Sequence, residues 1–551
     1  MDEQFDFVVV GSGGGGLCAA LVMASLGKSV LVLEKSEYAG GVTAASGGVM
    51  WIPNNRFLAE AGIQDSHDDA LAYLDALIGG DTDAPGATAE RRRTFVEQAP
   101  RMLEFLIGQG LAFRRVPFYP DYYDDLPGVV NEGRTVVSQL FDAKKLGPWE
   151  KKLRPGFLPI PANLDEAMML PRLKANKQAR KTLVKVLLRT VGSRLTGKHL
   201  VTAGNALQAQ MLYHALQAGA QVRLETPVEE ILVEGGRATG VITGGKRIGA
   251  KLGVLIAAGG FVQNQAMRDR YIPGTSKDWT LAPKGENGEM IEVAAKHGAA
   301  LAQMDARVCH PTTIVPGKGA ASVHGDIAKP HGIVIDQSGK RYMSEAGCYM
   351  DICAAMLAHH KKTPAVPSWL IMDSQYIGKY MLAGSRAGAK KPAEWTESGF
   401  LKTGETINAL ADACGIDPSI LASTVARFNA LAKQGEDEDF GRGKRLNERW
   451  LGDQDSDAPT LGAIEQGPFY AIPVYPGDVD TFGGIVTDTS ARVLDGDGNA
   501  IDGLYATGTS TASVMGRTSP GPGSSIGPAF TWGYVAAAHA ANADNLLGGD
   551  R

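Results

Sequence analysis

Apolar positions come in short runs stopped by glycine. Residues 5–10 form one run, broken only by Asp6; it ends at Gly11 and is followed at 30–33 by a second. Each reads as a buried strand, and residues 17–26 between them as a helix. The same reading places a helix from Gly204 to Gly219 and a strand over 222–228. Another strand over 253–258 ends in Gly259-Gly260. Residues 332–336 and 369–373 predict strands, and 346–359 and 418–434 helices. Near the end, 503–508 predicts a strand running into glycine, and an amphipathic helix spans Pro528 to about Asn542. Residues 183–195 form an amphipathic helical pattern interrupted by Lys185, Arg189 and Arg194, expected to pack on the protein, with a lipid surface as the other option. The charged stretch 435–455 reads as a solvated loop. The class is α/β: a discontinuous Rossmann-like cofactor domain, 1–300 with 479–551, and an inserted α+β domain, 301–478.

The first unit carries chemistry. Gly11-Ser12-Gly13-Gly14-Gly15-Gly16 stands between strand and helix, and Glu34 ends the next strand. Gly11 permits the tight turn, Gly13 lets backbone approach a pyrophosphate, and Gly16 lets helix and sheet pack closely. The free N–H groups of the helix start face phosphate charge, and Glu34 can accept from ribose hydroxyls. A second glycine-rich stretch follows: Lys35, then Gly40, Gly41, Thr43, Ser46, Gly47 and Gly48. A nicotinamide site has no use for it, whereas the riboflavin half of FAD needs such a loop. No His or Cys lies in 41–48, so the flavin is expected to be non-covalent. Val228 is expected near the adenine, and Ala258 and Gly259 beside the cofactor. Gly508, Ser524, Ser525 and Ile526 are expected to bring a helix N-terminus to the flavin.

Composition narrows the partners. Glycine is 69 of 551 residues, against an average near 7%, as backbone laid along an extended ligand requires. The net charge of −5, with scattered Lys and Arg, gives no support to nucleic-acid binding. No apolar run reaches the roughly 18 residues of a membrane-crossing helix, which leaves peripheral membrane association open. No secretory signal is expected from the acidic first residues. The five cysteines at 18, 309, 348, 353 and 414 have no CxxC spacing, which suggests a reduced, cytoplasmic protein without disulfides. His310, His324 and His331 match no metal site and read as loop or cap residues; His359 and His360 end a helix, where the dipole favours their charge.

The chain resembles, nearly end to end, the fumarate-reductase-like flavoproteins and within them the 3-ketosteroid dehydrogenases. The most specific segments begin at Gly40 (through Trp51 and Pro53), Tyr119 (Tyr-Pro-Asp-Tyr-Tyr), Gly339 (through Glu345 to Tyr349) and Gly521 (through Tyr534). The resemblance implies removal of a proton alpha to a ketone and hydride transfer from the beta carbon to flavin N5. It implies a small apolar ketone as substrate, a steroid first, and an external acceptor such as a quinone. It implies that Tyr349, in Glu-x-x-x-Tyr, works near the abstracted proton, that Tyr122 assists, and that Tyr119 lines the pocket. The 1,2-dehydrogenases bind the ketone oxygen with a tyrosine and a backbone N–H four residues later; here these places read Ser519 and Gly523. A serine reaches less far, so a water, another group such as Tyr123, or a different substrate pose must compensate. The alternatives are a soluble enoate or fumarate reductase and a non-catalytic flavin-binding protein. A pyridine-nucleotide flavoenzyme fits less well, since a second Gly-x-Gly-x-x-Gly is lacking.

Overall fold

In the larger sheet, five strands run parallel: Gln221–Arg223, Val30–Leu33, Glu3–Val10, Lys246–Ile256 and Ala500–Ala506. The structure is a computed structural model and describes residues 1–80, 83–117, 119–170 and 177–548. The first strand buries both faces, which explains its nearly unbroken apolar run. Phe7 and Val9 join the core under helices Gly14–Ser25, Ala203–Gln217 and Ile526–Ala540; Val8 and Val10 join a second core on the opposite face. Strand Ala500–Ala506 comes from the far end of the chain, so this sheet is completed by residues almost 500 positions from its start.

The second sheet has six strands, antiparallel where paired, ordered around the long strand Phe469–Thr481. Helix Tyr349–His360 packs on the strands Arg307–Val315 and Phe469–Thr481. A three-stranded sheet, Val49–Trp51, Phe113–Arg115 and Thr135–Ser138, lies beside the C-terminal glycine loop through Trp51. A buried ionic knot ties helix Gln265–Tyr271 to the six-stranded sheet. Asp478 accepts from Arg268 at 2.8 Å and from Arg307 at 3.0 Å, and all three side chains are buried.

Three expectations need correction. The strand expected over 222–228 stops at Arg223, and Val228 lies in the loop beyond. Residues 435–455 are no solvated loop: Arg442 is buried against Glu345, Asp437 pairs with Arg341, and residues Leu446–Leu451 are helical. These charges are satisfied by partners about 100 positions away, which a local charge count does not register. The helical pattern at 183–195 belongs to helix Lys177–Leu195, and its apolar stripe faces away from the protein.

Candidate active site

The two glycine loops and the C-terminal glycine loop meet at the carboxyl ends of the parallel strands, around a cavity of about 680 Å³. Gly11, Ser12, Gly13, Gly14 and Gly15 line it from one side, with Glu34 and Lys35. Gly41, Thr43, Ser46 and Gly47 line another, and Val228, Ala258, Gly259, Gly508, Ser525 and Ile526 complete the expected set. Gly11 has φ +103°, and a Cβ there would collide with the Ala257 carbonyl. Gly16 sits below the cavity, where a Cβ would strike the Gly11 carbonyl, so its role is close helix packing. Gly40 and Gly48 also lie off the cavity: the Gly40 N–H donates to Ser12 Oγ at 3.0 Å, and Gly48 packs on Gly204. Ser524 turns away from it toward Ser519.

Glu34 is fixed before any ligand arrives. Its Oε2 accepts from the Ser12 amide at 3.0 Å and hydroxyl at 2.7 Å, and its Oε1 from the Ser36 amide at 2.9 Å. Oε2 is thereby filled, and Oε1 retains acceptor capacity. Helices Gly14–Ser25 and Ile526–Ala540 both start at the cavity without a side-chain cap; the first leaves its first-turn N–H groups, and the second the Ile526 N–H, for an anionic ligand. Glu286 lines the same cavity, and its buried Oε2 has no partner among the described residues. Such an elongated cradle, with uncapped helix ends, a pinned carboxylate and an orphaned buried oxygen, fits FAD.

Sequence reasoning missed Glu286 and Asp480. Burial pushes the Asp480 carboxyl up to about 6, and burial beside Asp480 holds Glu286 well above the usual carboxylate range. Their carriers lie almost 200 positions apart, and neither belongs to a motif.

The tyrosines gather next to the cavity. Tyr349 opens helix Tyr349–His360, and its hydroxyl lies 3.2 Å from Ser519 Oγ, which is 2.6 Å from Ser524 Oγ. Tyr122 meets the Tyr349 ring edge-on at 5.5 Å. Burial pushes the Tyr349 phenol up to about 12 and Tyr122 well above its ordinary value. Tyr119 stacks on Trp450 at 4.4 Å, within the stretch expected to be a loop. Tyr123 does not replace the missing tyrosine, for its hydroxyl is committed to Asp351 at 3.0 Å. The loop 519–523 is held from outside: Pro520 O accepts from the Tyr122 N–H at 2.9 Å and the Tyr73 hydroxyl at 2.7 Å. The Gly523 carbonyl accepts from the Trp51 N–H at 3.1 Å. Among the described residues the Gly523 N–H has no acceptor.

His310 and His324 are neither loop nor cap ornaments. Both rings pack against Tyr349, at 5.5 and 5.4 Å, and His310 also lines the cofactor cavity. Burial lowers them to about 3 and about 4, so both stay neutral beside the phenol. His359 is bound to Asp336 at 2.9 Å and stacked on Tyr342.

The sequence profile of the family described as FAD binding domain matches residues 6–526. A 3-oxosteroid 1-dehydrogenase of Mycolicibacterium smegmatis is 39% identical, covering 97% of each chain. A 4-oxocyclohexanecarboxylate 2-dehydrogenase of Sinomonas cyclohexanicum is 33% identical, covering 97% of this chain and 92% of that one. Among solved structures, the 3-ketosteroid delta1-dehydrogenase from Sterolibacterium denitrificans in complex with 1,4-androstadiene-3,17-dione matches with a TM-score of 0.91 and 34% identity, covering 98% of this chain and 100% of that one. The cradle and these full-length matches agree: the chain belongs to the FAD-binding flavoprotein family that includes the 3-oxosteroid 1-dehydrogenases.

Proposed function

We propose that this protein is an FAD-dependent dehydrogenase that introduces a double bond alpha,beta to the ketone of a cyclic substrate, a 3-ketosteroid. The observation that carries the reading is the 3.2 Å contact between Tyr349 and Ser519, on the loop leading into the uncapped helix beside the cradle. Gly11–Gly15, Glu34, the 41–47 loop and the Ser525–Ile526 helix start would hold the cofactor without a covalent link. Bound there, FAD supplies the hydride acceptor.

The chain's own residues manage the proton and the charge. Tyr349 Oη takes the alpha proton; Tyr122, packed edge-on, and Ser519 share the resulting phenol network. The Gly523 N–H, aided by the Ser519 hydroxyl, holds the carbonyl oxygen as negative charge develops. Tyr119 and Trp450 form an aromatic wall of the substrate site. In this reading residues 1–300 and 479–551 carry the cofactor and 301–478 close over the substrate. Electrons leave to an external acceptor such as a quinone, and the protein works in the reducing cytoplasm, at the periphery of a membrane. The five unpaired cysteines support that compartment.

A second reading, a smaller alicyclic ketone, is favoured by Ser519 standing where a longer donor is expected and by the similarity to a relative named for 4-oxocyclohexanecarboxylate. Anaerobic mixing with a saturated 3-ketosteroid, a 4-ene-3-ketosteroid and a cyclohexanone tests both. Bleaching of the flavin band with a steroid supports the first reading; bleaching only with cyclohexanones selects the second. Absence of bleaching, with reoxidation of reduced enzyme by an enone or fumarate, replaces both with a reductase.

A further inference from the structure

Helix Lys177–Leu195 presents its apolar side to the outside. The side facing the protein buries Ala179, Thr182, Val186 and Ser193, mostly small or polar residues. The opposite side carries Val184, Leu187, Leu188, Val191 and Leu195, which are between 54% and 83% exposed. At about 100° per residue those five fall within a stripe about 100° wide, centred opposite the buried face. They are half of the ten exposed large hydrophobic residues among those described. Met168, on the neighbouring helix Leu164–Met169 that packs against it, is exposed as well.

Charge separates the candidate partners. The helix holds six basic residues (Lys177, Arg180, Lys181, Lys185, Arg189 and Arg194) and no acidic one, in a protein whose net charge is −5. Arg189 and Lys185 reach inward to Glu166, at 2.6 and 2.9 Å, and tie the helix to its neighbour. Lys177, Arg180 and Lys181 are exposed at the amino end of the apolar stripe, and Arg194 near its carboxyl end. A second copy of the same face would bring like charges together. An apolar stripe with a basic fringe fits an anionic lipid surface, where side chains enter the acyl boundary and cations meet headgroups.

We propose that helix Lys177–Leu195 lies in the plane of an anionic membrane surface and docks the protein on it through Val184, Leu187, Leu188, Val191 and Leu195. This rests on, and deepens, the peripheral association included in the reading above, but it is independent of which ketone is oxidised. It gives the enzyme access to a phase in which apolar ketones and quinones concentrate.

The test is sedimentation of the flavin-loaded protein with vesicles of phosphatidylcholine, with and without about one third phosphatidylglycerol. The protein is expected to partition onto the anionic vesicles, less so at high salt. The double variant Leu187→Glu, Leu188→Glu is expected to lower partition roughly tenfold or more, with flavin content and turnover of dissolved ketone unchanged. Arg180→Glu with Lys181→Glu should weaken binding to anionic vesicles alone. Failure of the wild type to bind vesicles, or equal binding by the leucine variant, overturns the proposal. So does a wild-type dimer that the leucine variant converts to monomer, since a second copy would then cover the stripe. Loss of ketone turnover in every assay, with vesicle binding as expected, would remove the dehydrogenase reading and leave this one standing.

Discussion

Tyr349 and Ser519, 170 positions apart, are joined hydroxyl to hydroxyl at 3.2 Å. The contact links the helix on the six-stranded sheet to the glycine loop that leads into helix Ile526–Ala540. Burial raises the Tyr349 pKa, and the Ser519 hydrogen bond opposes that rise. Removing the hydroxyl should therefore raise the Tyr349 pKa further and shrink the phenolate fraction without disturbing the cradle. Ser519→Ala is expected to lower kcat/KM about tenfold at pH 8, the weight of one hydrogen bond to a charged group. Flavin content should stay the same. An unchanged rate would separate Ser519 from the proton step.

The same burial sets the pH profile. With Tyr349 held near 12, the phenolate fraction, and so kcat/KM, should climb about tenfold per pH unit across the neutral and mildly alkaline range. His310 and His324 titrate near 3 and 4, so no step is expected near the ordinary imidazole value. Tyr349→Phe should remove the slope and reduce turnover by about 10²–10⁴. A bell centred near pH 6.5 would instead identify one of the histidines as the base.

What was legible in the chain follows from how local each constraint is. Gly11 and Glu34 were readable because a tight turn and a strand end dictate their residue types within one unit. Tyr349 and Ser519 were named only through family resemblance; nothing local to either joins them. His310, Glu286 and Asp480 went unrecognised because each is an ordinary residue on its own segment and reaches the cavity only through the meeting of distant segments. Arg442 was misread for the same reason, its counter-charge Glu345 being 97 positions away. At Lys177–Leu195 the period was read correctly but not the direction of the stripe, because periodicity does not say which side meets the protein.

The Arg268–Asp478–Arg307 knot makes a stability prediction. Asp478 joins helix Gln265–Tyr271 to the six-stranded sheet, and its loss leaves two buried guanidinium groups without their carboxylate. Asp478→Asn is expected to cost about 3–5 kcal/mol, seen as a lower midpoint in urea denaturation of the flavin-loaded protein. Asp502→Asn, which removes the exposed partner of Arg237, should change the midpoint little.

Asp480 supplies the last prediction, on stability against pH. Its carboxyl is pushed up to about 6 by burial, above the value of an unfolded chain near 4. A raised folded pKa means that the contribution to stability is complete below about pH 4 and is lost as pH rises through about 6. Glu286 is raised in the same direction by burial beside Asp480 and so does not reverse the sign. The melting temperature of flavin-stripped protein should therefore fall between pH 5 and 7.5 more steeply in the wild type than in Asp480→Asn. The asparagine keeps an oxygen for the Thr509 hydroxyl, now 2.7 Å from the Asp480 carboxylate, but adds no charge to the cavity. Parallel curves for the two proteins would show that Asp480 is already ionised at pH 5, and that the orphaned oxygen of Glu286 faces an anion rather than a shared proton.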